Sequence, residues 1–283
     1  MRGRAFAPGG ISLCNAMITG NGATVAIDKG VEVEVKLESD RNEISAEATD
    51  QPTVDTTLVE TCVSRTLASR GHELGGIVRT HADLPPSVGL KTSSATANAA
   101  ILATLAALGT TADIDRTEIA HLGVEIAREV GVSITGALDD AMASMLGGLV
   151  LSDNRRDRIL DRRELDAAVA VVIPGQGDPS ASVDVASLQR FEAAGEVAFD
   201  AICEGQYELG MVMNGLIVST ALSLDGRAMV EGLAHLDGVT VSGTGPSVAC
   251  IGTEQTVQAV ADVWDDLGRV IQTRTQHRGA SIS

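Results

Sequence analysis

Within residues 24–37, apolar and polar positions alternate strictly from 31 to 37. After the apolar run 23–27 the chain continues V-E-V-E-V-K-L, so Val31, Val33, Val35 and Leu37 fall on one side and Glu32, Glu34 and Lys36 on the other. A period of two is that of a half-buried strand. The rhythm then changes: Leu58, Val59, Cys62, Val63 and Leu67 recur at helical spacing over residues 55–70, with Gly71 placed to end the helix. Residues 77–80 are a short strand candidate. A Pro/Gly/Ser segment, 84–94, leads into the alanine-rich stretch 95–108, which predicts a helix buried on most sides and stopped by Gly109.

Further helices are expected at 114–130, ended by Gly131, and at 139–145, closing on Gly147 and Gly148. Residues 149–151 and 168–173 are strand candidates. Between them the run D-N-R-R-D-R-I-L-D-R-R-E is a solvated hairpin or linker and the best boundary between two parts, 1–155 and 156–283. The second part alternates: helices near 180–204 and 208–222, strands at 239–242 and 248–251, and a last helix at 254–272 with Val257, Val260, Trp264, Leu267 and Ile271 on one face. The pattern is that of an α+β protein in two parts, without an internal repeat.

Composition narrows the function. The 283 residues are 44% hydrophobic but only 2% aromatic, so Val, Ile, Leu and Ala must fill the core, and the aromatic platforms of single-strand nucleic-acid binders are missing. A formal net charge of −17 repels nucleic acid and anionic membranes alike. Lysine occurs only at 29, 36 and 91, and an acidic, lysine-poor surface is halophile-like, suited to solubility in high salt. No apolar run reaches the roughly 18 residues of a membrane span, and the first residues lack the apolar core of a signal peptide. Cys14, Cys62, Cys203 and Cys250 are too scattered to frame a zinc site or disulfides. The expected setting is cytoplasmic, with no nucleic-acid or membrane partner.

The segment 84–96, L-P-P-S-V-G-L-K-T-S-S-A-T, empties directly into a helix. A helix start leaves backbone N–H groups unpaired and carries partial positive charge. Gly89 lets the backbone approach an anion, Thr92, Ser93 and Ser94 add hydroxyls, and Lys91 adds a compact cation, a combination suited to phosphate. It is not a Walker P-loop, because G-x-x-x-x-G-K-[ST] occurs nowhere in the chain. It resembles the nucleotide motif P-x-x-x-G-L-x-S-S-A of the GHMP kinases, matching at Pro85, Gly89, Leu90, Ser93, Ser94 and Ala95 with one extra residue after Leu90. The variant G-L-K-[ST]-S-S-A followed by N-A is similar to the archaeal shikimate kinase branch. Two more segments resemble that branch in the family's order. One is A-P-G-G-I-S-L-C-N-A-M-I-T-G-N-G-A-T-V-A-I-D, residues 7–28, read as a small-residue loop entering a strand. The other is V-S-G-T-G-P-S-V-A, residues 241–249, a glycine loop between two strands.

The resemblance implies a two-domain GHMP kinase fold: an N-terminal domain like the second domain of ribosomal protein S5 and a ferredoxin-like C-terminal domain, with the site between them. It implies ATP and Mg²⁺, a small-molecule substrate, and phosphorylation of the 3-hydroxyl of shikimate. Homoserine kinase, another small-alcohol kinase, or a non-catalytic metabolite sensor are the alternatives. Pro85, Pro86, Ser87, Val88, Gly89, Leu90, Lys91, Thr92, Ser93, Ser94, Ala95 and Thr96 become the expected nucleotide contacts. Asn15, Thr19, Gly20, Asn21, Gly243, Thr244 and Gly245 become the expected substrate contacts. In T-G-A-L-D-D-A, residues 135–141, Asp139 is the expected general base with Asp140 in reserve, and Lys91 assists. Ser94 and Glu129 are the expected metal partners, with Glu125 as the substitute for Glu129.

Overall fold

The computed structural model describes residues 1–50, 52–112, 114–133, 136–175 and 183–283. Two long strands, β1 (Arg2–Cys14) and β2 (Asn21–Glu38), are joined by the single turn α1 (Ala16–Thr19). Then come β3 (Ile44–Ala48), α2 (Thr57–Ser69), β4 (Gly75–Ala82), α3 (Thr92–Leu108), α4 (Arg116–Glu129), α5 (Leu138–Leu146) and the hairpin of β5 (Leu149–Asp153) with β6 (Arg158–Arg163). The second half contains β7 (Ala168–Pro174), α6 (Val185–Gln189), α7 (Glu192–Cys203), α8 (Tyr207–Ala221) and α9 (Arg227–Leu233). It ends with β8 (Val239–Val241), β9 (Val248–Gly252), α10 (Glu254–Trp264), β10 (Gly268–Arg274) and β11 (Ser281–Ile282).

The strands form two sheets. The first runs β11-β1-β2-β4-β3, with β5 pairing β2 and β6 extending from β5; the second runs β10-β7-β9-β8. The two-part α+β architecture expected from the sequence is the one the chain adopts. The charged run is a hairpin, and the expected division at 155/156 falls in its turn, while β6 still belongs to the first sheet. Strand β11 also returns to that sheet, pairing Ala5 with Ile282 and Phe6 with Ser281.

Alanine and glycine replace aromatic bulk by bringing backbones close. At Gly3 of β1 a β-carbon would stand 2.1 Å from the Ala103 carbonyl oxygen of α3. Helix α3 therefore lies directly on β1, with Ala95, Ala99, Ala100 and Ala103 buried beneath it. Because α3 is apolar on nearly every side, it has the all-round hydrophobicity of a core helix. Gly109 ends it in the left-handed region, at φ 70.

Three expectations change. Residues 7–14 are strand: β1 is buried along most of its length, so it lacks the polar alternation by which a half-exposed strand is recognised. The last helix stops at Trp264, and 268–274 form strand β10. Gly268 permits this, because a β-carbon there would lie 2.1 Å from the Ile173 carbonyl of the neighbouring β7. Val257, Val260 and Trp264 share the core of the second part, whereas Ile271 packs from β10 into a different cluster. Residues 183–204 hold two helices, α6 and α7; the expected start of that segment, 180–182, lies outside the described residues, as does Thr135. Among the described residues no helix is long and apolar enough to cross a membrane.

Candidate active site

A cavity of about 590 Å³ lies where the two sheets meet. Its wall on one side is the loop into α3, which contributes Pro86, Ser87, Gly89, Leu90, Lys91, Thr92, Ser93 and Thr96. This loop turns sharply: Ser87, Gly89 and Lys91 all have positive φ. Gly89 is required, since a β-carbon there would meet the Ser242 carbonyl oxygen at 2.1 Å. Helix α3 starts after Lys91 without a side-chain cap. Its first-turn N–H groups, and the partial positive charge they carry, stand beside hydroxyls that line the cavity.

Two serines knit this loop to the rest of the cleft. Ser242 donates its hydroxyl to the Gly89 carbonyl at 2.7 Å and accepts the Ser12 N–H at 3.1 Å. Ser12 in turn accepts the Gly243 N–H at 3.1 Å. Gly243 and Thr244, from the glycine loop between β8 and β9, line the far side of the cavity. Asn15 also lines it, but both ends of its amide are engaged: Oδ1 accepts from Met17 N at 2.9 Å and Nδ2 donates to Gly243 O at 2.8 Å. Its backbone N–H donates to the buried Asn214 at 2.8 Å. Asn15 thus caps α1 and holds the glycine loop.

The acidic pair sits at the floor, on the first turn of α5. Leu138 N–H donates to Asn154 Oδ1 at 2.5 Å, and Asn98 of α3 donates to the Ala141 carbonyl at 2.9 Å, so the helix start is fixed from two sides. Asp139 is 3% exposed. Asn154 Nδ2 donates to its Oδ1 at 3.0 Å, and the Thr24 hydroxyl lies 2.8 Å from its Oδ2. The same hydroxyl lies 2.7 Å from Asp140 Oδ1, to which Lys91 Nζ approaches within 3.0 Å. Burial, and then the charge of Asp140, raise the Asp139 carboxyl to about 6 against the opposing pull of Lys91, Asn154 and Thr24. Lys91, Asp139 and Asp140 all line the cavity, and Lys91 is the only cation that does so among the described residues.

Other expected residues lie elsewhere. Ser94 follows the cavity-lining Ser93 on α3 but does not line the cavity. Glu129 stands at the exposed end of α4 in an ion pair with Arg65 at 2.5 Å, away from the cavity, so the expected Ser94–Glu129 metal pair is not assembled; Glu125 does not line the cavity either. Thr19, Gly20 and Asn21 form the turn from α1 into β2, where Gly20 is a left-handed cap at φ 88 and its flank is covered by Arg155. They do not line the cavity, and neither does Gly245. Among the described residues no group of three or more His, Cys, Asp or Glu could hold a metal ion. Sequence reasoning missed Thr24, Asn154, Ser12, Ser242 and Asn214. Thr24 left a faint signal as the single hydroxyl in the apolar run 23–27.

Residues 57–148 match the family described as GHMP kinases N terminal domain. The homoserine kinase of Cytophaga hutchinsonii, at 18% identity, superposes on 100% of this chain and 97% of its own with a TM-score of 0.76. The architecture is that of a GHMP kinase. The shikimate kinase of Halobacterium salinarum is 42% identical over 281 residues, 99% of each chain. That of Methanosarcina mazei is 39% identical over 284 residues, 99% of this chain and 96% of its own. The chain belongs to the shikimate kinases of the GHMP kinase family.

Proposed function

We propose that the chain transfers the γ-phosphoryl group of ATP to the 3-hydroxyl of shikimate, giving 3-phosphoshikimate and ADP. The observation that carries this reading is the meeting, in one cavity, of an uncapped helix start rich in hydroxyls with a buried carboxylate pair bridged to Lys91. The first element suits a triphosphate and the second an alcohol nucleophile. The apolar end of the cavity, with Val31, Leu58, Val59 and Ala82, suits a nucleobase.

Asp139 is the general base in this reading. A carboxylate held near 6 is mostly ionised at neutral pH, yet basic enough to take a proton as the alcohol attacks. The substrate O–H bond breaks, the O–P bond forms, and the bond from the γ-phosphorus to the ADP oxygen opens. Lys91 holds Asp140 and offsets charge on the floor of the site. Mg²⁺ neutralises negative charge on the phosphate oxygens when bound, and takes few protein ligands besides phosphates and water. Asp140 and the hydroxyls of Ser93 and Thr96 are the hard oxygen donors that would hold it here.

Release of ADP measured with shikimate, homoserine and mevalonate as acceptors tests the assignment. Turnover of shikimate at least about a hundredfold above the other two is expected, because a site built for one set of hydroxyls leaves polar groups unpaired with another. Preferential turnover of homoserine or mevalonate would overturn the substrate, and ATP binding without turnover of any acceptor would overturn the kinase reading.

A further inference from the structure

The Lys91 ammonium has three N–H donors, and among the described residues its one ionic partner is Asp140, at 3.0 Å. The side chain is only 8% exposed. Its stem runs over Gly10 of β1, where a β-carbon would lie 3.5 Å from Lys91 Cγ. Its tip reaches the glycine loop, 3.6 Å from the place that a Gly243 β-carbon would take. Lys91 also holds a left-handed backbone, at φ 62 and ψ 24, which glycine would adopt more cheaply. The chain keeps here a buried ammonium with donors to spare beside the cavity.

Shikimate brings a carboxylate as well as the hydroxyl that reacts. The floor it meets already sets Asp139 and Asp140 against the single charge of Lys91. A further carboxylate left unpaired there is strongly unfavourable. Lys91 is the one cation lining the cavity among the described residues, and positions 51, 113, 134, 135 and 176–182 of the sequence carry no Lys, Arg or His. Arg155, against Gly20, is paired with Glu192 at 3.0 Å, and Arg128, against Gly136, with Asp157 at 2.6 Å.

We propose that Lys91 binds the carboxylate of the acceptor and is the residue by which this site selects an acidic alcohol. This rests on the reading of shikimate as the acceptor. The carboxylate takes the donors that Asp140 leaves, beside Gly243 and Thr244. The contacts of Lys91 with Asp140, Asp140 with Thr24 and Thr24 with Asp139 join ammonium and base in one corner of the cavity. The carboxylate and 3-hydroxyl of shikimate stand on ring carbons separated by one other, so the ring presents one group to each. The phosphates have their own donors in the uncapped start of α3. A neutral acceptor of the same shape leaves the ammonium unpaired, and a site so built rejects it.

Shikimate and its carboxamide have nearly the same shape and differ in charge, so turnover of the two supplies the test. Wild type is expected to favour shikimate at least about thirtyfold in kcat/KM. Lys91→Met should bring the two acceptors within about threefold of each other, through a higher KM for shikimate, with KM for ATP changed by less than about threefold. General damage to the site would slow both acceptors and leave their ratio unchanged. Should Lys91→Met not fold, Lys91→Gly suits the left-handed backbone and carries the same expectation. Equal use of both acceptors by wild type would overturn the proposal, whatever the variants do. A preference that survives loss of the ammonium would overturn it too, and a raised KM for ATP beside it would assign Lys91 to the phosphates. Failure of wild type to phosphorylate shikimate while it phosphorylates homoserine would instead remove the acceptor reading beneath it.

Discussion

Asp139 stands directly on Gly22: a β-carbon at that glycine would lie 2.6 Å from the Asp139 Cγ. Gly22 is not in the left-handed region, so the requirement is for space and not for backbone freedom. Gly22→Ala must push the carboxylate off its bonds to Asn154 and Thr24. We expect kcat to fall about a hundredfold, as for other displacements of about 1 Å in a reacting group, with ATP affinity by calorimetry little changed.

Asp139→Asn should lower kcat by about two to four orders of magnitude while ATP still binds. It should also change stability, with a sign fixed by the raised carboxyl. Asp139 takes up protons near 6 in the folded chain, against an ordinary 3.8. The folded state binds the proton more tightly, so its stability is greatest below the ordinary value and declines as pH rises towards 6. The neutral amide escapes that decline. Melting scans should show Asp139→Asn more stable than wild type at pH 7.5, by at most ~3 kcal/mol, and without this advantage near pH 4. A variant equally destabilised at both pH values would contradict the buried-charge account.

The acid limb of kcat/KM should fall away below about pH 6, where Asp139 becomes protonated. Removing the Asp140 charge relieves repulsion, so Asp140→Asn should move that limb to lower pH in whatever activity it retains. Lys91→Met removes an attraction that favours the carboxylate and should move it to higher pH. Opposite shifts in the two variants are the measurement; shifts in one direction would mean that another group controls the limb.

Ser242 serves two segments at once, donating to Gly89 and accepting from Ser12. Ser242→Ala leaves both of those groups without a partner in a buried place, at a cost of about 1–3 kcal/mol. Because one segment belongs to the loop proposed to hold the nucleotide and the other leads to the glycine loop, KM for ATP and for the acceptor should rise together, by about fivefold or more. A rise confined to one substrate would mean that the two walls are set independently.

The loop that walls the cavity was legible because loop chemistry is written locally: Gly89, the hydroxyls and the alanine helix are contiguous in the chain. The strand of alternating Val31, Val33, Val35 and Leu37 was equally plain, with one side buried and the other wet. Strand β1 was hidden because it is buried along most of its length, and β10 because Leu267 and Ile271 continue the helical spacing of Val257, Val260 and Trp264. The acid pair was found, but not what supports it. Thr24, Asn154 and Asn98 reach Asp139, Asp140 or their helix across separations that no local pattern records. Glu129 failed for the complementary reason: its place on a helix near the motif said nothing of Arg65, which holds it outside.

Residues 275–282 fasten the far end of the helix that carries the two acids. Gly148 N–H donates to the Gln276 carbonyl at 2.8 Å, Ala280 N–H to that of Met145 at 3.1 Å, and Arg116 to the Ala280 carbonyl at 2.7 Å. A nascent chain emerging from the ribosome with strands β1 to β6 paired would still lack these ties. The start of its acid helix is already held by Asn154 and Asn98, but the far end keeps these later ties unmade until the second sheet has been synthesised and residues 276–280 arrive.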